Sequence, residues 1–141
     1  MNLKRTLTSS AALLAAVLTA ASVASAAPAS ASLVIRHQVH GCHSWSLNGA
    51  AFKPSQTLNL GVKGTLTVAN NDVMSHRLVQ KSGPAVQLKG PATMGHMGAT
   101  LKVTFATAGT YVFTTKPGVD YMKGITTIGA DNVLKLVVHV S

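Results

Sequence analysis

The sequence predicts an all-β sandwich, and three observations carry that prediction. Eight short runs alternate apolar with polar side chains or gather β-branched residues. Gly, Asn, Asp and Pro cluster between the runs, and no segment keeps a helical apolar period over a helical length. Strands this short bury their apolar faces by packing one sheet on another.

The first run covers residues 33–40. Trp45-Ser46-Leu47 follows and leads into Asn48-Gly49, a strong tight-turn pair because both residues tolerate positive φ. Thr57-Leu58-Asn59-Leu60 alternates, and the stretch from Gly61 to Gly64 supplies the next turn. Residues 65–69 alternate again before the loop Asn70-Asn71-Asp72; residues 77–80, 101–105, 110–114 and 133–140 complete the eight. Between the last two runs, residues 116–132 form a connection of 17 residues, too long for a turn, with Asp120, Tyr121 and Met122 between Gly118 and Gly124. Connections of that length are functional or disordered.

The N-terminus reads as an export signal. Lys4 and Arg5 precede an apolar run over residues 11–23 that only Thr19 and Ser22 interrupt, and Ala24-Ser25-Ala26 is the small-residue pattern of a cleavage site. Ala29-Ser30-Ala31 is a second such pattern. The run is shorter than the roughly 20 apolar residues of a membrane crossing, so no span is expected in the mature chain. The expected organisation is a signal peptide over residues 1–26, a flexible leader over 27–32 and one domain over 33–141, secreted or periplasmic.

Ten Lys/Arg then stand against Asp72, Asp120 and Asp131, a net charge of +7 with no Glu. That balance suits anionic partners such as an acidic protein or a polyanion. The basic residues are scattered singly along the expected strands without interleaved aromatics, so nucleic acid is not the expected partner. Catalysis has little to stand on: the three Asp read as isolated in turns or loops, and Cys42 and His43 are strand neighbours pointing to opposite faces. No enzyme activity is expected. Cys42 is the one cysteine, which excludes an intramolecular disulfide and leaves an intermolecular bond, a reactive thiol or a metal ligand.

From Asn70 through His76 to Val79, an Asn-rich loop opens the next strand with a histidine. Ala108-Gly109-Thr110-Tyr111-Val112-Phe113 leads into the long connection, and Phe52-Lys53-Pro54, Leu58, Leu60 and Gly64 precede the strand into Asn70. In these features the chain resembles the cupredoxins, the superfamily of plastocyanin and azurin, over nearly all of residues 33–141. The resemblance implies a Greek-key β-sandwich of about eight strands and a copper ion, with His76 in the place of a copper-ligating histidine. The usual Cys-His-Met loop is absent: Thr115 stands where the resemblance implies the copper cysteine and Gly118 where it implies the second histidine. Met122 lies one residue off the implied axial methionine.

A thiol is instead offered by His40-Gly41-Cys42-His43, with His37 just upstream. Thiolate with imidazole suits copper and zinc, and a trigonal His₂Cys set with a weak thioether suits copper. The resemblance implies that this turn lies at the same end of the sandwich as His76. A second cluster, Met94-Gly95-His96-Met97, precedes the run over 101–105, and thioether sulfur suits Cu(I). If residues 33–47 ran as one flat strand, His40 and Cys42 would share the polar face with Arg36 and Gln38, away from Leu33, Ile35, Trp45 and Leu47. A bulge at Gly41 would exchange the faces and turn Cys42 inward.

The expected ligands of one copper ion are Cys42 and His76 with His43 or His96, and His40 and Met122 as further candidates. The bland readings are a buried apolar Cys42, a hydrogen-bonded rim histidine at 76, and core-filling methionines. His37 is expected to pack in or beside the core, and His139 to face solvent because it alternates with Leu134, Leu136, Val138 and Val140. The expected function is copper binding for electron transfer or copper handling, with an acidic redox or copper-accepting protein as partner. The alternative is a metal-free module of the same fold that binds proteins or polyanions through its basic surface.

The export reading has a direct check: intact-mass measurement of secreted material is expected to give an N-terminus at Ala27, and a retained Met1 in a membrane fraction contradicts it.

Overall fold

The computed structural model describes residues 26–38, 42–117 and 134–141. Among them are ten strands: β1 (Ser30–Gln38), β2 (Cys42–Leu47), β3 (Ser55–Leu60), β4 (Thr65–Asn70), β5 (His76–Ser82), β6 (Gln87–Lys89), β7 (Thr93–Met94), β8 (Thr100–Thr104), β9 (Gly109–Pro117) and β10 (Lys135–Val140). They form two five-stranded sheets, ordered β2-β1-β4-β8-β6 and β3-β10-β9-β5-β7. No helix among the described residues is long and apolar enough to cross a membrane.

Period-two alternation builds both inner faces. Leu66 and Val68 of β4, Leu101 and Val103 of β8, and Leu136 and Val138 of β10 are fully buried, while Thr67, Lys102, Lys135 and His139 at alternate positions are exposed. His139 faces solvent as expected, its Nδ1 3.1 Å from the Thr110 hydroxyl. Phe105 stands edge-on to Tyr111, with ring centroids 4.9 Å apart, and edge-on to Phe113 at 6.1 Å. The buried Tyr111 satisfies its hydroxyl by donating to the Thr107 carbonyl at 2.5 Å.

Two parallel pairings fix which loops share an end of the sandwich. β1 runs parallel to β4, with Ile35 beside Asn70, and β3 runs parallel to β10. The chain passes from the first sheet to the second through Asn48-Gly49. Both residues have positive φ, 51° and 75°, and the Ala50 N–H closes the turn on the Leu47 carbonyl at 2.9 Å. Lys53 then bridges back to Trp45, whose indole N–H donates to the Pro54 carbonyl at 3.1 Å.

The structure departs from the expected elements in three places. Residues 30–32, expected in the leader, are strand: they pair with Thr65–Thr67, and the Pro28 and Ala29 carbonyls accept from Gly61 and Thr65. Small Ser and Ala side chains carry little strand propensity of their own, so the neighbouring strand supplies the order. Residues 33–38 and 42–47 do not lie on one strand, flat or bulged. The chain reverses, and β1 and β2 pair antiparallel with Leu33 opposite Leu47, Ile35 opposite Trp45 and Gln38 opposite Cys42. Finally, β6 and β7 add to the eight expected strands; at three and two residues they are too short to show a period.

At Gly83 the backbone leaves no alternative residue. Its φ is +104°, and a Cβ there would lie 2.6 Å from the Thr110 carbonyl oxygen and 2.8 Å from the Tyr111 Cα. Gly98 also has positive φ, +85°, but nothing lies within 4 Å of its Cβ position. Gly98→Ala is therefore expected to cost about 1–2 kcal/mol from backbone strain alone. Gly83→Ala adds a backbone clash and is expected to cost about 2–5 kcal/mol. Urea unfolding of the two variants checks the order.

Candidate metal centre

β4 ends at Asn70 and β5 opens at His76, so five residues turn the chain from one sheet into the other. The fully buried Asn70 organises that turn. Its side-chain NH₂ donates to the Met74 carbonyl at 2.7 Å and the Met94 carbonyl at 3.0 Å, and its Oδ1 accepts from the Asp72 N–H at 2.9 Å. Asp72 repeats the device one step on, its Oδ1 accepting from the Met74 N–H at 3.3 Å. Asn and Asp favour this local bonding to their own backbone two residues on. The effect is to aim the other Asp72 oxygen at His76.

His76 Nε2 lies 2.9 Å from Asp72 Oδ2, with the side chains 1% and 0% exposed. A carboxylate only accepts, so Nε2 carries the proton and donates. In the neutral imidazole the lone pair is then on Nδ1, with ring rotation and tautomer set by the carboxylate. His76 pairs with Pro117 of β9 on one side and Met94 of β7 on the other, and Met94 is fully buried. Thr115, the implied cysteine position, is buried on β9 beside Leu78.

The remaining candidates fall into three groups. Cys42 and His43 open β2, paired in register with Gln38 and His37. Because β1 and β4 run parallel and Ile35 is level with Asn70, that start of β2 is at the His76 end of the first sheet. His96 lies in the loop after β7, exposed, its Nδ1 donating to the Met97 carbonyl at 2.9 Å. His40 and Met122 lie outside the described residues, as do Asp120, Tyr121 and residues 118–133 of the long connection; its foot, Pro117, is level with His76. Among the described residues no group of three or more His, Cys, Asp or Glu comes together.

Sequence reasoning missed Asp72, read as an isolated loop aspartate. It is buried against His76, and the signal was the spacing Asn70, Asp72, Met74, in which each Asx residue caps the backbone two positions on. It missed Asn70 for the same reason.

The all-β architecture of two packed sheets agrees with the expectation from sequence. The fold is cupredoxin-like. No protein-family model and no curated protein matches the sequence. Among solved structures the chain is similar to a purple cupredoxin from Nitrosopumilus maritimus, at 18% identity over 78% of this chain and 98% of that one, with a TM-score of 0.49. It is also similar to a Cu(I) amicyanin mutant at 18% identity, covering 85% and 87%, TM-score 0.44. A reduced amicyanin mutant matches at 21% identity, covering 77% and 80%, TM-score 0.42.

The outer face of the second sheet is basic. Arg77 of β5 stands directly across from Lys116 of β9, and Lys81 and Lys135 flank a shallow depression with Thr114 and Lys116. Like charges opposite each other on a sheet repel.

Asp72→Ala tests the buried pair. Removing the acceptor strands a donor in the interior, with an expected loss of about 1–3 kcal/mol. Asp72→Asn, which keeps an acceptor oxygen, is expected to lose less. Equal losses in urea unfolding contradict the role given to the Asp72–His76 hydrogen bond.

Proposed function

We propose that the chain is an extracytoplasmic copper-binding protein of cupredoxin-like fold, acting in electron transfer or copper handling rather than as an enzyme. The observation that carries the proposal is the His76–Asp72 pair: a buried histidine whose Nε2 proton is held by a buried carboxylate. Metal-ligating histidines are oriented in this way, with the second ring nitrogen hydrogen-bonded to an outer carboxylate. His76 would supply Nδ1 to one copper ion. Cys42 would supply the thiolate and His43 a second imidazole, with His40 and Met122 as further candidates. A bound copper ion supplies one-electron exchange.

The basic outer face favours an acidic redox or copper-accepting protein as partner. The facing Arg77 and Lys116 also favour the alternative, a metal-free module that holds a protein or polyanion on that face. Long-range attraction of this kind weakens with salt.

Cu(II) added to the secreted chain is expected to give intense visible absorption, because a Cu–S bond supplies charge transfer that imidazole and carboxylate do not. Cys42→Ser is expected to abolish it and His139→Ala to leave it intact. His76→Ala is expected to weaken copper binding by about 10–100-fold or more, since loss of supporting residues alone has that effect. A colour that survives Cys42→Ser removes the thiolate. An unchanged thermal midpoint with equimolar copper favours the metal-free alternative, because a ligand held by the native state raises it.

A further inference from the structure

A second group of soft donors gathers outside the pair just described. Met74 and Met97 line one surface depression together with Arg36, Asn71, Asp72 and Val73. Met97 is 53% exposed, whereas Met94, three residues earlier at the end of β7, is fully buried in the core. Core filling therefore accounts for Met94 and not for Met97.

The backbone that presents these methionines is fixed from both sides. The Asn70 side chain donates to the carbonyls of Met74 and Met94, and the Asn70 carbonyl accepts from the Gly98 N–H at 2.7 Å. Ala99 N–H closes the turn on the His96 carbonyl at 3.1 Å, with Gly98 at a φ of +85°. One asparagine thus clamps the loop that carries Met74 to the loop that carries His96 and Met97.

His96, the residue before Met97 in the chain, offers a third donor. Its Nδ1 faces the Met97 carbonyl, which only accepts, so the ring proton is on Nδ1 and the lone pair on Nε2 of an exposed ring. An imidazole whose tautomer is set by a backbone carbonyl is prepared as a ligand. Of the charged groups at the depression, the Asp72 carboxylate is engaged by His76 and the Arg36 guanidinium lies over the Phe52 ring, 5.9 Å from its centre. The donors left are two thioethers and one imidazole. Thioether with imidazole, without thiolate or carboxylate, selects a monovalent soft cation over Cu(II) or Zn(II).

We propose that Met74, Met97 and His96 form a surface site for Cu(I), separate from the Cys42–His76 centre. It goes beyond the copper reading above and does not depend on Cys42. Its place beside Asp72, which holds His76, makes it an external landing point at the same end of the sandwich.

The test uses the secreted chain labelled with ¹³C at the methionine methyls and titrated with Ag(I), a redox-inert stand-in for Cu(I). In Cys42→Ser, which lacks the thiol that competes for Ag(I), the first equivalent is expected to shift the Met74 and Met97 methyls together with the His96 ring and to leave Met94 in place. Met74→Leu with Met97→Leu keeps side-chain volume, and is expected to weaken Cu(I) binding to the Cys42→Ser chain by about 10-fold or more in competition with a chelator. The visible absorption of the Cu(II) form is expected to survive these two substitutions, which separates this site from the thiolate centre. A titration that moves Met94 in place of Met97, or that moves neither Met74 nor Met97, overturns the proposal. So does unchanged Cu(I) affinity in the double leucine variant.

Discussion

The hydrogen bond between Asp72 and His76 is the constraint around which one end of the sandwich is arranged. Both side chains are out of water, and a buried polar pair is stabilising only while every member stays satisfied. The Asn70 side chain meets part of that demand by bonding three backbone groups of the two loops nearest the pair. The parallel run of β1 beside β4 meets another part, since the Asn71 N–H is taken by the Ile35 carbonyl at 2.8 Å. Loosening any of these contacts reaches His76 through the carboxylate. Farther from that pair, the edge-on aromatic contacts of Phe105 with Tyr111 and Phe113 hold the core by packing.

How far the sequence could be read follows from the same physics. Alternation specifies a strand's inward face without reference to its neighbours, so the inward set of β4, β8 and β10 was legible residue by residue. It could not separate a straight strand from a hairpin over residues 33–47. The hairpin pairs residues of equal parity, Leu33 with Leu47 and Ile35 with Trp45, so both arrangements put the same side chains inward. Choosing between them needs the partner strand. β6 escaped because all three of its residues are exposed, which leaves no apolar face to detect.

At the site, His76 was legible because it opens a strand after an Asn-rich loop, a local feature. Its hydrogen bond to Asp72 was not, since it requires the loop to close so that residues four apart meet in the interior. The clamp from Asn70 to Met94 spans 24 residues and depends on β7, a strand of two residues that the sequence does not announce. Local chemistry was therefore readable, and the contacts that join loops across sheets were not.

The displaced thiol has a mechanical consequence under the proposed reading. Thr115, where the resemblance implies a cysteine, lies on β9 in the same sheet as His76, whereas Cys42 opens β2 in the other sheet. A metal held by His76 and Cys42 would join the two sheets at one end. Its binding free energy would then act on the relative position of the sheets as well as on overall stability. The neutral set of Met74, Met97 and His96 carries no such burden, because a single asparagine already holds both of its loops. One end of the fold would thus offer a centre that fastens the sheets and, beside it, a looser one that a monovalent ion can enter and leave.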